Sequence, residues 1–204
     1  MRRIVAFNRV TADGYFAGTD EKLDWMVPDE ELDRRSADSI DEGGVGTVLF
    51  GRRTYQQFAS FWPHAFDDSK TSPDPHAAGR RSEELRAMAN WLNEATKIVF
   101  SRTLKDVTWK NTRLIHEFNP DDVLAMKRQP GQDMIIFGSG TLASQLTEHG
   151  LIDEYHFIVT PILLGSGRPL VKDVSKHLKL NLVEAKPYKS GNVMLRYERL
   201  GHAA

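Results

Sequence analysis

An apolar run, Met134-Ile135-Ile136-Phe137, stops at Gly138-Ser139-Gly140, and the amphipathic stretch Thr141 to Leu146 begins there. Glycines where a buried strand hands over to a helix let the backbone approach an anion. The free N–H groups of the helix's first turn then bind it. A bare tight turn would use the same residues. Two more strand ends carry related chemistry: "TVLFG" (47–51) runs into Arg52-Arg53-Thr54, and "KIVFS" (97–101) into Arg102-Thr103. Arginine suits phosphate because its planar fork donates two hydrogen bonds at once. Cations sit poorly at a helix amino terminus unless an anion offsets the dipole, which favours ligand binding for Arg52 and Arg53 over a solvated role. Open α/β sheets bind ligands beyond the carboxyl ends of their strands. A dinucleotide bearing an extra phosphate on its ribose would use all three ends.

The elements that must position these residues follow from periodicity and turn chemistry. Strands are expected at 3–10, 47–51, 97–101, 112–117, 133–137 and 154–165. Helices are expected at 29–40, from Arg52 into residues 61–62, at 82–95 with a capping-box start at Ser82, at 120–128, and after Gly140. Residues 63–80, with three prolines, read as a surface loop. "LKLNLVEAKPY" and "VMLRYERL" flank Lys189-Ser190-Gly191-Asn192, the turn signal of a β-hairpin. The alternation predicts an α/β three-layer sandwich in one domain, 1–204. Its central sheet is mostly parallel, with the C-terminal antiparallel hairpin at one edge.

Composition narrows the function. The net charge of −1 gives no global field for nucleic acid or an anionic membrane, and no apolar run is long enough to span one. The chain reads as cytoplasmic. It contains no cysteine, so thiolate catalysis, disulfides and cysteine-held zinc are out. Its seven histidines show no metal spacing, and no metal is expected. Gly138 to Ala143 satisfies G-x-G-x-x-A, but "FIVTP" brings no carboxylate after the next strand, so the Rossmann reading fails.

"FGRRTYQQF", "KIVFSRT" and "IIFGSGTLASQL" stand in the order and spacing of dihydrofolate reductase. "TADGYFAG" and "DEYHFIVTPILLGSGRPLV" resemble the reductase domain of the bifunctional riboflavin-biosynthesis enzyme, the RibD C-terminal type, and the likeness covers residues 3 to about 200. It implies a dihydrofolate reductase-like fold and NADPH as cofactor. Gly51, Arg52, Arg53 and Thr54 would meet the 2′-phosphate and pyrophosphate, Ser101 and Arg102 the 2′-phosphate, and Gly138, Ser139, Gly140, Thr141 and Leu142 the pyrophosphate. Asp13-Gly14 would lie in a loop against the nicotinamide. "WMVPDE" places Glu30 where that family's ring-binding carboxylate stands, with Trp25 beside the substrate. A good helix start, proline then acids, is the competing reading for Glu30; a turn cap is the competing one for Asp13.

The expected activity is hydride transfer from NADPH to a small nitrogen heterocycle of pterin or pyrimidine type. The alternative is a non-catalytic nucleotide-binding module acting as sensor or partner. No residue matches the arginine that holds the folate tail, and the missing deaminase cysteines mark a stand-alone reductase module. The resemblance also implies a homodimer.

Overall fold

The computed structural model of the protein describes residues 1–42, 44–65 and 83–200. Its elements are β1 (Ile4–Thr11), β2 (Tyr15–Ala17), α1 (Glu30–Glu42), β3 (Val45–Gly51), α2 (Arg52–Phe61), α3 (Glu83–Glu94), β4 (Thr96–Phe100), β5 (Thr112–Ile115), α4 (Pro120–Arg128), β6 (Asp133–Phe137), α5 (Gly140–Glu148), β7 (Glu154–Thr160), β8 (Arg168–Pro169), β9 (Leu180–Pro187) and β10 (Val193–Arg199). Eight strands form one sheet in the order β5-β4-β3-β6-β1-β7-β10-β9. The first six are parallel, and β10 runs antiparallel to β7 and β9. This is the expected α/β architecture, edged by the expected hairpin.

Parallel strands covered on both faces need continuous apolar runs, not alternation. β3 supplies Val48, Leu49 and Phe50 and β6 supplies Met134, Ile135 and Ile136, all buried. On one face Leu49, Met134 and Ile136 pack with Val123 and Met126 of α4 and Leu142 and Leu146 of α5. On the other, Val48, Phe50 and Ile135 pack with Tyr55 of α2 and Ala89 and Leu92 of α3. Leu32 of α1 joins Ile158, Tyr188 and Met194. Lys97, fully buried, donates to the Leu92 and Asn93 carbonyls at 2.8 and 3.1 Å. It thereby satisfies the orphan acceptors at the end of α3, and burial pushes its amine down to about 8.

Some features differ from expectation: β5 ends at Ile115, short of the expected 117. β7 ends at Thr160, because Pro161 has no N–H for the ladder. Residues 15–17 and 168–169 pair as a separate two-stranded ribbon, too short to leave a sequence pattern. Most of the expected loop, from residue 66 to 80, and the capping residue Ser82 lie outside the described residues. Among the described residues no helix is long and apolar enough to cross a membrane.

Candidate active site

The connectivity brings the predicted loops together. β6 returns to the middle of the sheet, between β3 and β1, so the turns after β3 and β6 are neighbours. They are joined by two hydrogen bonds. The Gly51 N–H donates to Ser139 Oγ (3.0 Å), and the Ser139 N–H donates to Thr54 Oγ1 (3.1 Å). Gly138 and Ser139 both take left-handed backbone, with φ of 50° and 55°. For serine that conformation costs about 1–2 kcal/mol, offset here by its bonds on both sides.

The second glycine has a different cause. A Cβ on Gly140 would stand 2.7 Å from the Phe16 ring and 3.2 Å from the Leu170 carbonyl oxygen. Gly138 therefore serves the backbone turn, and Gly140 the close approach of Phe16. The helix that follows, like α2 behind Gly51, has no acid in its first turn and no side-chain cap. Both leave N–H groups for an anion.

At the end of β4, beside β3, Ser101 Oγ accepts the N–H groups of Thr103 and Leu104 at 3.3 and 3.0 Å. That turn projects Arg102, which is exposed and, like Arg52, forms no ion pair among the described residues. Arg53 Nη1 lies 2.9 Å from Glu21 Oε1, and Arg168 Nη1 lies 2.7 Å from the same oxygen. Glu21 and Arg168, missed in the sequence, stand 147 residues apart and meet beside the small ribbon.

These residues border a cleft of about 1240 Å³. Gly51 to Thr54, Ser101, Arg102, Gly138 to Leu142, Trp25 and Glu30 all line it. Trp25 is 6% exposed with its indole nitrogen unpartnered. Asn8 of β1 also lines the cleft, 2% exposed, with neither amide atom hydrogen-bonded; an amide interrupting the apolar run Ile4 to Phe7 was its only sequence signal. The α1 start has the expected acidic helix-start chemistry, with Pro28 standing just before the cap and not at the first helical position. Asp29, not Glu30, caps the helix, accepting the Leu32 N–H at 2.9 Å, while Glu30 lines the cleft.

Asp13 departs from the expected catalytic placement, since it does not line the cleft. Its carboxylate accepts Thr11 Oγ1 (2.5 Å), the Gly165 N–H (2.7 Å) and the Leu164 N–H (3.3 Å), pinning the turn after β1 to the loop after β7. The Thr11 hydrogen bond and the backbone donors hold its carboxyl below the usual range. Carboxylates with that many donors anchor loops.

Glu21 engages Arg53 and Arg168 with its own carboxylate. On the expectation that these arginines meet the coenzyme's phosphates, Glu21→Gln should tighten NADPH binding about two- to fivefold, the scale of an exposed ion pair. Coenzyme titration of the two proteins checks this; weaker binding by the variant would mean that Glu21 instead holds the arginines in position.

Comparison with known proteins places this geometry. The RibD C-terminal domain model matches residues 2–194, and the chain belongs to that family. It is similar to the uncharacterized protein YyaP of Bacillus subtilis (strain 168), 28% identical over 196 residues that span 96% of this chain and 94% of YyaP. Among solved structures it resembles one named for a candidate riboflavin biosynthesis protein of Shewanella sp. PV-4 (TM-score 0.71, 21% identity, 98% of this chain and 99% of that one). It also resembles Enterococcus faecalis dihydrofolate reductase complexed with NADP(H) (TM-score 0.61, 14% identity, 98% and 97%). The expected dihydrofolate reductase-like fold is thereby established.

Proposed function

We propose that the protein is an NADPH-dependent reductase acting on a small nitrogen heterocycle of pterin or pyrimidine type. The observation that carries this reading is the cluster of Arg52, Arg53, Arg102 and Arg168 at one end of the cleft, beside two uncapped helix starts. A coenzyme with three phosphates fits that donor set. The resemblance to a reductase complexed with NADP(H) supports the same reading.

The chemistry a bound NADPH would supply is a hydride for an electrophilic ring carbon. The chain's own work is to hold and shield the reactants. Arginines and helix N–H groups fix the phosphates, and Phe16, packed on Gly140, braces the loop between them. Trp25 and Glu30 line the cleft where the ring would sit, Glu30 hydrogen-bonding its N–H edge while a proton from water would reach the ring nitrogen. Pairing of two copies belongs to the same proposal. The edge strand β9 exposes Leu182 and Val183, which a second sheet edge could cover.

The test is NADPH oxidation, followed by absorbance, across dihydropterins and aminopyrimidine ribosides. Turnover of at least one ring is expected. Coenzyme binding without turnover across the panel would favour a non-catalytic nucleotide-binding module instead.

A further inference from the structure

Among the described residues two asparagines are buried, Asn8 and Asn192, and their surroundings differ. Asn192 Nδ2 donates to the Val27 carbonyl at 3.0 Å and to Ser190 Oγ at 2.9 Å, so its oxygen alone is unpaired. Asn8 has neither its donor nor its acceptor satisfied. Polar groups shut away from water without a partner weaken a fold, and native proteins keep few of them. Asn8 stands in a row with Ile4, Ala6 and Val10, alternate residues on one face of β1 that pack in one apolar core. For folding alone, an apolar residue would serve better at position 8.

The strand ladder shows what lies beside it. β6 pairs with β1 from Ile4 to Phe7 and leaves at Gly138, whereas β7 continues beside β1 to Thr11. Asn8 is therefore the first residue of β1 past the end of β6, and there it borders the cleft. Of the other buried, unpaired side-chain groups among the described residues, Trp25 Nε1 shares the cleft; those of Thr160, Tyr188 and Asn192 do not. The turn that carries Arg102 follows β4, three strand spacings from β1, or about 14 Å. A molecule whose phosphates meet the arginines thus brings its far end to Asn8.

We propose that Asn8 is a binding residue of the cleft, pairing its carboxamide with an amide edge of the occupant, a C=O beside an N–H. A carboxamide presents one acceptor next to one donor group, and an amide edge returns the same pair reversed, closing two hydrogen bonds. Asn8 is already shut away from water, so the pairing costs the protein little further desolvation. A ketone or a plain aromatic edge leaves at least one of the two groups buried alone, and sites of this kind discriminate strongly against such analogues. The inference rests on the reductase reading for what enters the cleft, and adds a residue that selects it. Two sources supply such an edge: the carboxamide of nicotinamide and the lactam of a nitrogen heterocycle.

The experiment compares the parent with Asn8→Leu, which keeps nearly the same shape without the polar atoms. Calorimetric titration sets NADPH against its acetylpyridine analogue, which retains the C=O and lacks the N–H. With NADP⁺ saturating, quinolinone, a lactam, is set against quinoline. In the parent, the amide-bearing member of one pair is expected to bind about ten- to a hundredfold more tightly, and Asn8→Leu is expected to erase that preference. Discrimination within the first pair assigns the edge to nicotinamide, and within the second to the substrate ring. The variant is also expected to melt no lower than the parent, since an unpaired amide gives way to an apolar side chain.

No preference in either pair overturns the inference, as does a preference that survives Asn8→Leu. A clear fall in melting temperature overturns it too, because Asn8 would then hold the fold, directly or through a bound water. ADP-ribose 2′-phosphate, which carries the phosphates and no carboxamide, keeps the two ideas apart and is expected to bind both proteins alike. Its failure to bind beside an intact lactam preference sinks only the reductase reading. Its binding, with no preference in either pair, sinks only the role of Asn8.

Discussion

Replacing Arg52 and Arg102 together with alanine should weaken NADPH binding by about a hundredfold or more, while the melting temperature stays within a degree or so. Hydrogen bonds from arginine to a charged partner contribute about 1.5–3 kcal/mol each, and two lost together multiply to this range. The fold should not notice. Both side chains are exposed, and neither forms an ion pair among the described residues. NADH, which lacks the ribose phosphate, should lose much less than NADPH if these arginines grip that group. Parallel titrations of the two coenzymes check the point. Equal losses would move the arginines to the pyrophosphate, and unchanged NADPH affinity would remove them from the site.

Glu154→Gln should cost about 3 kcal/mol of stability at neutral pH, in a region remote from the cleft. Glu154 opens β7 and is 4% exposed. Its Oε2 lies 2.6 Å from Arg3 Nη2, its Oε1 lies 2.6 Å from His156 Nε2, and Arg196 pairs with Oε1 as well. Burial alone would raise its pKa. The hydrogen bond with His156 and the positive charges around it, Arg196 and Arg3 among them, outweigh burial and bring it down to about 2. A carboxyl whose folded pKa lies below its unfolded value of about 4.5 stabilises the fold fully above that pH. The contribution is lost as pH falls toward 2. Removing the charge leaves the buried His156 ring and the part-exposed Arg3 and Arg196 facing a neutral amide, and breaking the pairs of a buried carboxylate has effects of this size. Thermal melts should show the variant about 6–12 °C below the parent at pH 7. The gap should narrow steadily on acidification below pH 4. A constant gap from pH 7 to 3 would assign the loss to packing.

The regular elements were legible because their signals are local. α4 runs over the predicted residues 120–128, since Asn119 caps it and accepts the Asp121 N–H at 2.9 Å, with Pro120 opening its first turn. The hairpin turn formed where Gly191, at φ 87°, closes it. The cleft-lining loops were legible for a different reason: each follows an apolar run, and strand order then gathers the runs' ends.

What sequence could not give depends on distant contacts. Glu21 and Arg168 acquire meaning only when the fold brings them together beside the small ribbon. The Asp13-Gly14 turn was visible, but not that the loop after β7 would supply two N–H groups to its carboxylate. Gly140 looked like a phosphate-loop glycine, yet the atom that demands it belongs to Phe16.

Titration of the protein with NADPH, read from tryptophan fluorescence, tests the central claim most directly, because Trp25 and Trp62 line the cleft. Saturable quenching with one coenzyme per chain and a dissociation constant of about 1–100 μM is the predicted result. A signal that stays linear to about 10 mM would contradict the account at its base.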